Sequence, residues 1–532
     1  MANPNWKLIV LRALLIVAAG LWVFSPALQG GWLMDDDLYL TQNVLVDDPA
    51  RLWKIWFAPG SLIEYYPIEA SVQAIQWGLW GPSSTFGYHL TNLLLHLAGA
   101  LLVWRLLAKF GLRLAWLGGF LFTIHPVVVE SVAWISELKN TLSLPIFLLS
   151  ICAWIDYEKQ GRPRDYFLAL GFFLGAMLCK VSMALFPFVL LLYAWWKRGR
   201  IGWRDLINVA PFAAISLVLV STTILAGNWF LGAHLQAPPG PDLGDFLTRL
   251  ALAGQSIAFY FVQCVWPLRM LPIYPKWPVD PGSPLSYLPW LVLACVIIWL
   301  WTKRASWGRH ALLGLGFFII NLLPFIGFHP ISYMGFTWVM DHFLYIPIIG
   351  LIGVAVAALE KIEAQVSPST RSWISGAMTV MLALLAWESH AYADVFDGPE
   401  KLWTYTVIHN PTSWLAHNNL GNVMLQTDRP QQAIDEYEKS LAINPAGVEA
   451  NNNLGFALVQ EHRIPEAIDH FEQSLKSNPH FALAHSNLAD ALAQVGRVPE
   501  AIDHYQQALR INPNDHIARD ALAKLQAGRK AP

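Results

Sequence analysis

The sequence has few charged residues and few cysteines. Only 14% of its 532 residues are charged and the formal net charge is -2, so it lacks the basic excess of a nucleic-acid-binding protein. The four cysteines have no Cys-x-x-Cys spacing and lie in or beside apolar segments, which favours free buried thiols over a disulfide or a metal site. No Gly-x-Gly-x-x-Gly follows a strand-like run, which argues against a Rossmann-like domain and a nucleotide-linked substrate.

Hydrophobic residues are abundant, at 55% with 26 tryptophans, which is typical of a protein that crosses a membrane many times. The apolar runs predict about eleven spans, and the first, residues 8–28, is retained because no small-residue cleavage site follows it. Lys and Arg in alternate short loops place the N-terminus in the cytoplasm and, for an odd number of spans, the C-terminus outside. Two stretches fit this count poorly: 67–80 is predicted to lie along the interface, and 246–266 to be re-entrant or interfacial.

Three adjacent carboxylates, Asp35, Asp36 and Asp37, follow the first span and lie at the outer surface in this topology. Like charges this close cannot all ionise cheaply, so at least one pKa should be raised, which suits a general base near neutral pH. A hydrated loop that only marks the helix end is the alternative. The sequence requires no cofactor, but Asp35 and Asp37 form an Asp-x-Asp pattern, so Mg²⁺ or Mn²⁺ at these acids is an open alternative.

After Ser389 the composition becomes polar and a repeat begins. Asn-Pro pairs recur every 34 residues, at positions 410, 444, 478 and 512, with small and aromatic residues in phase. This period is the tetratricopeptide signature, and it predicts three full repeats with a half repeat before them and a polar capping helix after them. The fold is therefore predicted to be all-α, with a polytopic membrane helix bundle (1–390), a linker and half repeat (391–413) and an α-solenoid (414–532).

One phase of the repeat carries an asparagine in each copy, at Asn419, Asn453 and Asn487. Solenoids of this type usually bind ligands on their concave surface. A column of amides there could hydrogen-bond the backbone of an extended acceptor peptide without reading its side chains. The alternative is that the amides only cap helices or solvate the groove.

Four motifs occur in a fixed order before the repeats: MDDDLYLTQN from Met34, HPVVVESVAWISELKNTLSLPIFLL from His125, KVSMALFPFVLLLYAWW from Lys180 and MDHFLYIPIIG from Met340. Together they resemble the transmembrane and tetratricopeptide repeat containing O-mannosyltransferases and their bacterial relatives, over nearly the whole chain. That family is similar to the C-type membrane glycosyltransferases, which take a sugar from a polyprenyl-phosphate lipid and transfer it to an acceptor outside the cytoplasm.

The resemblance implies that the paired acid of the first outer loop, Asp35 and Asp36, is catalytic. One carboxylate would take the proton of the acceptor hydroxyl, and cationic groups would stabilise the departing phosphate. Lys139, Lys180 and His342 are predicted to bind that phosphate, although His342 stands where the family commonly has Arg. For the lysines, snorkelling of the side chain toward the interface is the alternative.

Five further residues share the outer side in the predicted topology and are candidates for the site. Two of the acids flank Trp134 at helical spacing, which could put both on one face with a sugar-stacking indole. A histidine before proline is more often structural, and an outer tyrosine could equally belong to an interfacial aromatic belt. These candidates are His125, Glu130, Glu137, Tyr66 and Asp341.

We therefore expect a glycosyltransferase that moves a sugar, with inversion, from a polyprenyl-phosphate donor to Ser or Thr hydroxyls of an exported protein held by the repeats. Its expected location is a bacterial inner membrane with the repeats on the periplasmic side. Its expected partners are the donor lipid, the polypeptide acceptor and membrane lipids. A non-enzymatic scaffold for envelope or pilus assembly is the alternative. A transporter of lipid-linked sugar would place acids within spans, whereas these acids crowd an outer loop.

Overall fold

The computed structural model describes residues 6–234 and 241–530, and this part of the chain is all-helical. Helix accounts for 79% of the residues, and no strand forms within the described ranges. The chain divides into two compact units, Met1–Gly398 and Pro399–Pro532. The prediction of an all-α fold is confirmed.

Proline and glycine mark several helix boundaries in the first unit. Pro67 and Pro163 occupy first turns, where the missing N–H costs no hydrogen bond, and Gly161 and Gly199 end helices in the left-handed conformation. The helices are α1 Trp6–Val23, α2 Val44–Asp47, α3 Trp53–Phe57, α4 Pro67–Trp80, α5 Phe86–Lys109, α6 Ala115–Ile124, α7 Val129–Ala133, α8 Leu138–Gln160, α9 Pro163–Cys179, α10 Phe186–Arg198, α11 Trp203–His234, α12 Phe246–Val265, α13 Leu288–Thr302, α14 Gly308–Leu322, α15 Ile348–Gln365 and α16 Pro368–Asp394.

Six segments of the described chain are long and apolar enough to cross a membrane, or seven if one bent pair counts as a span. The bent pair joins Ala115–Ile124 to Pro126–Ala133 at 61°. Many of these helices expose large apolar side chains, which suits contact with lipid. The predicted total of about eleven spans stays a prediction. The six segments are Trp6–Val23, Phe86–Lys109, Ile135–Gln160, Trp203–Asn228, Pro284–Thr302 and Gly308–Phe325.

The two stretches that fitted the span count poorly are both helical. Helix α4 has 14 residues, which is too short to cross a bilayer core, so its predicted interfacial position stays open. Helix α12 is one continuous helix of 20 residues with one buried face. The re-entrant or interfacial position predicted for 246–266 therefore stays a prediction.

Helices α14 and α15 approach closely because each carries a glycine at the contact. A Cβ built on Gly314 would lie 2.5 Å from the carbonyl oxygen of Gly350, and one built on Gly350 would lie 2.3 Å from the carbonyl oxygen of Gly314. Small residues at such a crossing allow backbones to pack in a membrane helix bundle. This crossing holds α14 in place, and the C-terminal end of α14 lies beside the candidate active site.

The second unit stacks helix pairs as the 34-residue period predicted. Tyr437 and Phe471 are buried, and the ring of each faces the glycine of the preceding helix, Gly421 or Gly455. Three helix pairs follow one single helix and precede another, so the tetratricopeptide architecture is confirmed. The helices are α17 Pro399–His409, α18 Trp414–Gln426, α19 Pro430–Ile443, α20 Val448–Gln460, α21 Ile464–Ser477, α22 Ala482–Gln494, α23 Val498–Ile511 and α24 His516–Lys530.

The turn within each helix pair has one residue in the left-handed region of backbone space. Asp428 has a φ of 59°, His462 a φ of 58° and Gly496 a φ of 81°. A residue with a Cβ is strained there by about 1 kcal/mol, whereas glycine is not. Only the turn of the third repeat, with Gly496 at this position, therefore adopts the left-handed conformation without strain.

Candidate active site

The two acids assigned to catalysis occupy different environments. The Asp36 side chain is fully buried, and its carboxylate accepts the backbone N–H of Leu33 and the backbone N–H of Ser136, each at 2.8 Å. The indole of Trp134 donates to the carbonyl of Leu33 at 3.3 Å and ties the same two segments together. Burial raises the pKa of Asp36 to about 7, although these hydrogen bonds oppose the shift.

Asp35 remains exposed beside it. Met34, the residue before it, has a φ of 43°, a strained left-handed conformation for a residue with a long side chain. The surrounding protein raises the pKa of Asp35 by displacing water; Lys139 lowers this pKa, while Glu137 and Glu64 raise it. Asp35 is thus an accessible carboxylate that holds a proton more readily than an ordinary aspartate.

Asp37 is exposed and accepts a hydrogen bond from the hydroxyl of Thr41 at 2.6 Å. Within residues 6–234 and 241–530, no three His, Cys, Asp or Glu side chains are grouped so that they could hold a metal ion. A divalent cation at Asp35 and Asp37 therefore stays a prediction.

Two lysines and two glutamates form a charge network beside Asp35, with Glu137 and Lys180 buried and Glu64 and Lys139 partly exposed. Lys139 lies 3.1 Å from Glu64 and 3.9 Å from Glu137, and Lys180 lies 3.7 Å from Glu137. Lys180 also donates to the amide oxygen of Asn140 at 2.8 Å, and Asn140 donates to Glu137. The predicted phosphate-binding lysines are thus brought together, and each is already paired with a carboxylate.

Sequence reasoning missed Glu64, which holds one end of this network. The hydroxyl of Tyr39 donates to Glu64 at 3.0 Å and that of the predicted Tyr66 at 3.2 Å. Burial alone would raise the pKa of Glu64, but the ammonium groups of Lys139 and Lys180, together with the hydrogen bonds from Lys139 and Tyr39, outweigh it and the pKa is lowered. The only sequence signal was an acid directly before the Tyr65-Tyr66-Pro67 motif.

Glu130, Asp341 and His342 form the other end of the network. Glu130 accepts the ring Nδ1 of His342 at 2.9 Å and the backbone N–H groups of Asp341 and His342 at 3.0 and 3.3 Å. The hydroxyl of Tyr274 contacts both carboxylate oxygens of Asp341 at 3.0 and 3.1 Å. Burial, followed by repulsion from Glu130, raises the pKa of Asp341 well above its usual range.

His125 takes a structural position at the bend of the broken span. Its Nδ1 accepts the backbone N–H of Val127 at 3.4 Å, which leaves a protonated Nε2 to donate to the carbonyl of Cys264 at 3.0 Å. Both ring nitrogens are occupied by backbone groups. The geometry therefore favours the structural alternative for His125 over a ligand or proton carrier.

Two openings reach the charge network. A wide recess is bordered by Tyr39, Glu64, Arg51 and Lys54 together with apolar side chains such as Leu62. A narrow cleft is lined by Lys180, His342 and Asn140, with Ser182, Asn321 and Phe325. The network therefore has an amphipathic recess at one end and a small polar cleft at the other.

The amides of the predicted asparagine column bond asparagines at neighbouring positions of the repeats. Asn453 donates to Asn418 at 3.2 Å and to Asn422 at 3.0 Å, and Asn487 donates to Asn452 at 2.9 Å. Asn419, Asn453 and Asn487 all remain partly accessible. A groove at the C-terminal end of the stack is lined by Asn487, Asp490 and Lys524 with apolar side chains such as Phe456.

Comparison with protein families finds a match within each unit. Residues 67–225 match the dolichyl-phosphate-mannose-protein mannosyltransferase family, and residues 414–446 and 452–516 match tetratricopeptide repeats. The matched mannosyltransferase segment contains Lys139, Lys180 and Glu137 but not the loop of Asp35. The chain is similar to the TMTC protein O-mannosyl-transferases.

The match to these relatives extends over most of the chain. It is 23% identical to protein O-mannosyl-transferase Tmtc3 of Drosophila melanogaster over 67% of this chain and 46% of that protein. It is also 23% identical to protein O-mannosyl-transferase TMTC1 of Homo sapiens over 81% of this chain and 55% of that protein. The chain therefore spans about half the length of the curated relatives it matches. The apolar helices and the family match together indicate a multi-pass membrane protein.

Solved structures match the repeats. One is the first TPR of Spaghetti (RPAP3) bound to an HSP90 peptide, with 22% identity, a TM-score of 0.21 and coverage of 22% of this chain and 91% of that one. Another is MamA, with 22% identity, a TM-score of 0.24 and coverage of 25% of this chain and 73% of that one.

Proposed function

We propose that the first unit transfers a mannosyl group from a polyprenyl-phosphate-linked donor to a Ser or Thr hydroxyl of a protein. The observation that carries this proposal is the accessible Asp35 carboxylate, with its raised pKa, beside the network of Lys139, Glu137, Lys180 and His342. The matches to mannosyltransferases support the class of reaction and the sugar.

Asp35 acts as the general base. It accepts the proton of the acceptor hydroxyl while that oxygen attacks the anomeric carbon of the sugar from the side opposite the phosphate. The bond between the anomeric carbon and the phosphate oxygen breaks, and the phosphate leaves with the electron pair as a polyprenyl phosphate. A single displacement of this kind inverts the anomeric configuration.

Asp36 positions the base instead of sharing its role. Both of its oxygens accept backbone N–H groups, and it has no exposed surface through which an acceptor could approach. Its bond to Ser136 joins the loop of Asp35 to the segment that carries Glu137 and Lys139. Asp36 therefore fixes the position of the Asp35 base relative to the segment that carries Lys139.

The cations act at the leaving group. An ammonium has three N–H donors, and Lys180 uses one on Asn140 and lies near Glu137, which leaves capacity toward the cleft it lines. Two lysines against Glu64 and Glu137 give no net charge, so hydrogen-bond donors of the cleft, which His342 also lines, meet the developing charge on the phosphate.

The repeats hold the polypeptide acceptor. The partly accessible amides of Asn419, Asn453 and Asn487 offer donors and acceptors to an extended backbone, and the groove at Phe456 and Asn487 adds apolar contact. Binding through backbone groups suits an enzyme whose acceptors share little sequence.

The test is transfer of mannose from a synthetic polyprenyl-phosphate mannose to an unstructured Ser- and Thr-rich polypeptide by the purified chain in lipid nanodiscs. Asp35→Asn should lower kcat by about 100-fold or more, the contribution of a positioned base. The matched control is Asp242→Asn, because Asp242 is exposed and accepts a hydrogen bond from the backbone N–H of Gly244 at 2.8 Å. Full activity of Asp35→Asn, or no transfer by the wild type, would refute the proposal, and the second outcome is the one that a non-enzymatic scaffold predicts.

A further inference from the structure

The narrow cleft beside the charge network contains two polar residues to which neither the sequence patterns nor the proposed reaction gave a role. They are Ser182, in the turn after α9, and Asn321, near the end of α14. Both line the same cleft as Lys180 and His342. The cleft has room for about one water-sized group, so it can admit a single hydroxyl or phosphate oxygen of a larger ligand.

Asn321 presents a buried acceptor to this cleft. Only 3% of the residue is exposed, and its side-chain N–H donates to the carbonyl of Phe317, one turn earlier, at 2.8 Å. Because a carbonyl can only accept, this bond fixes which end of the amide is nitrogen. The amide oxygen has no hydrogen-bond partner within the described residues. A buried acceptor without a donor is costly, so such an atom calls for a ligand or a water.

The amide oxygen of Asn321 can only accept a hydrogen bond, so its partner must be a donor. A phosphodiester oxygen carries no proton and cannot donate, so it cannot satisfy Asn321. A hydroxyl can donate. Ser182, whose hydroxyl is also buried and has no hydrogen-bond partner in the described part of the chain, can donate to a phosphate oxygen or accept from a hydroxyl.

The cleft therefore combines the ammonium of Lys180 and the hydroxyl of Ser182 with an acceptor at Asn321 and the apolar ring of Phe325. A bare phosphate would leave the acceptor unsatisfied. A neutral sugar would offer no anionic group to the ammonium of Lys180. A glycosyl phosphate suits both, because one of its hydroxyls can enter the cleft while its anionic phosphate lies only a few bonds away.

We infer that Asn321 accepts a hydrogen bond from one hydroxyl of the donor sugar and that this contact determines which glycosyl phosphates are used. The inference deepens the proposed function and rests on it. A site built to bond a hydroxyl discriminates strongly against an analogue that lacks it, because the buried acceptor is then left unpaired.

The test compares kcat/KM of the purified full chain for polyprenyl-phosphate mannose and for four analogues, each lacking one of the hydroxyls at carbons 2, 3, 4 and 6. In the wild type, one analogue should lose about tenfold or more, the effect of leaving a buried acceptor unpaired. In Asn321→Ala, that analogue and the parent donor should be used within about twofold of each other, because the coupled partner is gone. If Asn321→Ala does not fold, Asn321→Ser replaces it, since a serine hydroxyl can bond the Phe317 carbonyl instead of facing the cleft.

The matched control is Ser216→Ala, which removes another buried, unpartnered side-chain oxygen from the first unit, on α11 and outside the cleft. It should leave the discrimination among analogues unchanged. If Asn321→Ala lowers activity equally for all five donors, the amide only holds a water or the helix, and the inference is wrong while the proposed function stands. Failure of the proposed function is distinguishable, because the wild type would then transfer from none of the donors.

Discussion

The carboxylate of Asp36 accepts the backbone N–H of Ser136 at 2.8 Å, across 100 residues of sequence. This bond joins the loop of the candidate base Asp35 to the start of the segment that carries Glu137 and Lys139. A second bond, to Leu33 at 2.8 Å, closes the Asp36 loop on itself. The loop of Asp35 and the segment of Lys139 are thus held together by one residue, Asp36, which is buried next to the accessible Asp35.

The first prediction separates the two acids by stability. In Asp36→Asn one side-chain position becomes an NH₂ group that faces a backbone N–H, so one buried donor is left unpaired. We expect a loss of about 1–3 kcal/mol in the free energy of unfolding of the first unit. Asp35→Asn, at an exposed position, should change it by less than about 0.5 kcal/mol. Thermal unfolding in nanodiscs measures both, and equal stability of the two variants would contradict the anchor role of Asp36.

The second prediction concerns pH. Because the base must be ionised and the pKa of Asp35 is raised, activity should rise with pH through a value above the usual aspartate range. Glu64 raises the pKa of Asp35 and also pairs with Lys139, which lowers it. Glu64→Gln removes the repulsion and leaves Lys139 less compensated, so both effects lower the pKa. The acidic limb of the kcat/KM profile should therefore move to lower pH.

The control for this shift is Asp242→Asn, whose acidic limb should coincide with that of the wild type. A limb that moves to higher pH in Glu64→Gln would show that another group titrates in this range.

The third prediction concerns packing in the repeats. A Cβ built on Gly455 would lie 2.7 Å from Cε1 of Phe471, which is closer than atoms of a packed core allow. Gly455→Ala should therefore destabilise the repeats by about 1–3 kcal/mol through overpacking. Hydrogen exchange of α20 and α21 reports the loss. The reverse change at the corresponding position of the next repeat, Ala489→Gly, should cost only about 1 kcal/mol of helix propensity.

The fourth prediction concerns the left-handed turn position. His462→Gly removes the strain of a side chain at a φ of 58° and should stabilise the repeats by about 0.5–1 kcal/mol. Gly496→Ala introduces that strain at a φ of 81° and should destabilise them by a similar amount or more. Unfolding of the repeats in urea compares the two, and a loss of stability in His462→Gly would contradict the assignment of strain.

The fifth prediction concerns the amide column. Asn453→Ala removes the donor to Asn418 and Asn422, and with it a partly accessible amide of the proposed peptide surface. KM for a polypeptide acceptor should rise about fivefold or more, while hydrolysis of the lipid donor without acceptor stays unchanged. Gln426→Ala, a change of an exposed amide at the end of α18, serves as the control. An unchanged KM in Asn453→Ala would leave the column with a capping role only.

Much of the fold could be predicted because its signals are local and periodic. The recurrence of Asn-Pro pairs and of small residues at fixed phase specifies each helix pair, since a repeat contacts chiefly its neighbours. The long apolar runs near α1, α5 and α11 predict membrane helices by length and composition alone. The continuity of α12 could not be predicted, because hydropathy does not report whether a helix breaks.

The sequence by itself determined the chemistry available: adjacent acids after a first span, two lysines and a histidine in separate motifs, and a repeat with an asparagine in phase. Only the tertiary structure decided that Asp36 is buried on backbone donors while Asp35 stays accessible, that Glu64 pairs with Lys139, and that Asn321 faces the cleft of Lys180. These relations join residues far apart in the chain, and burial and hydrogen-bond partners depend on how helices pack, which no local pattern encodes.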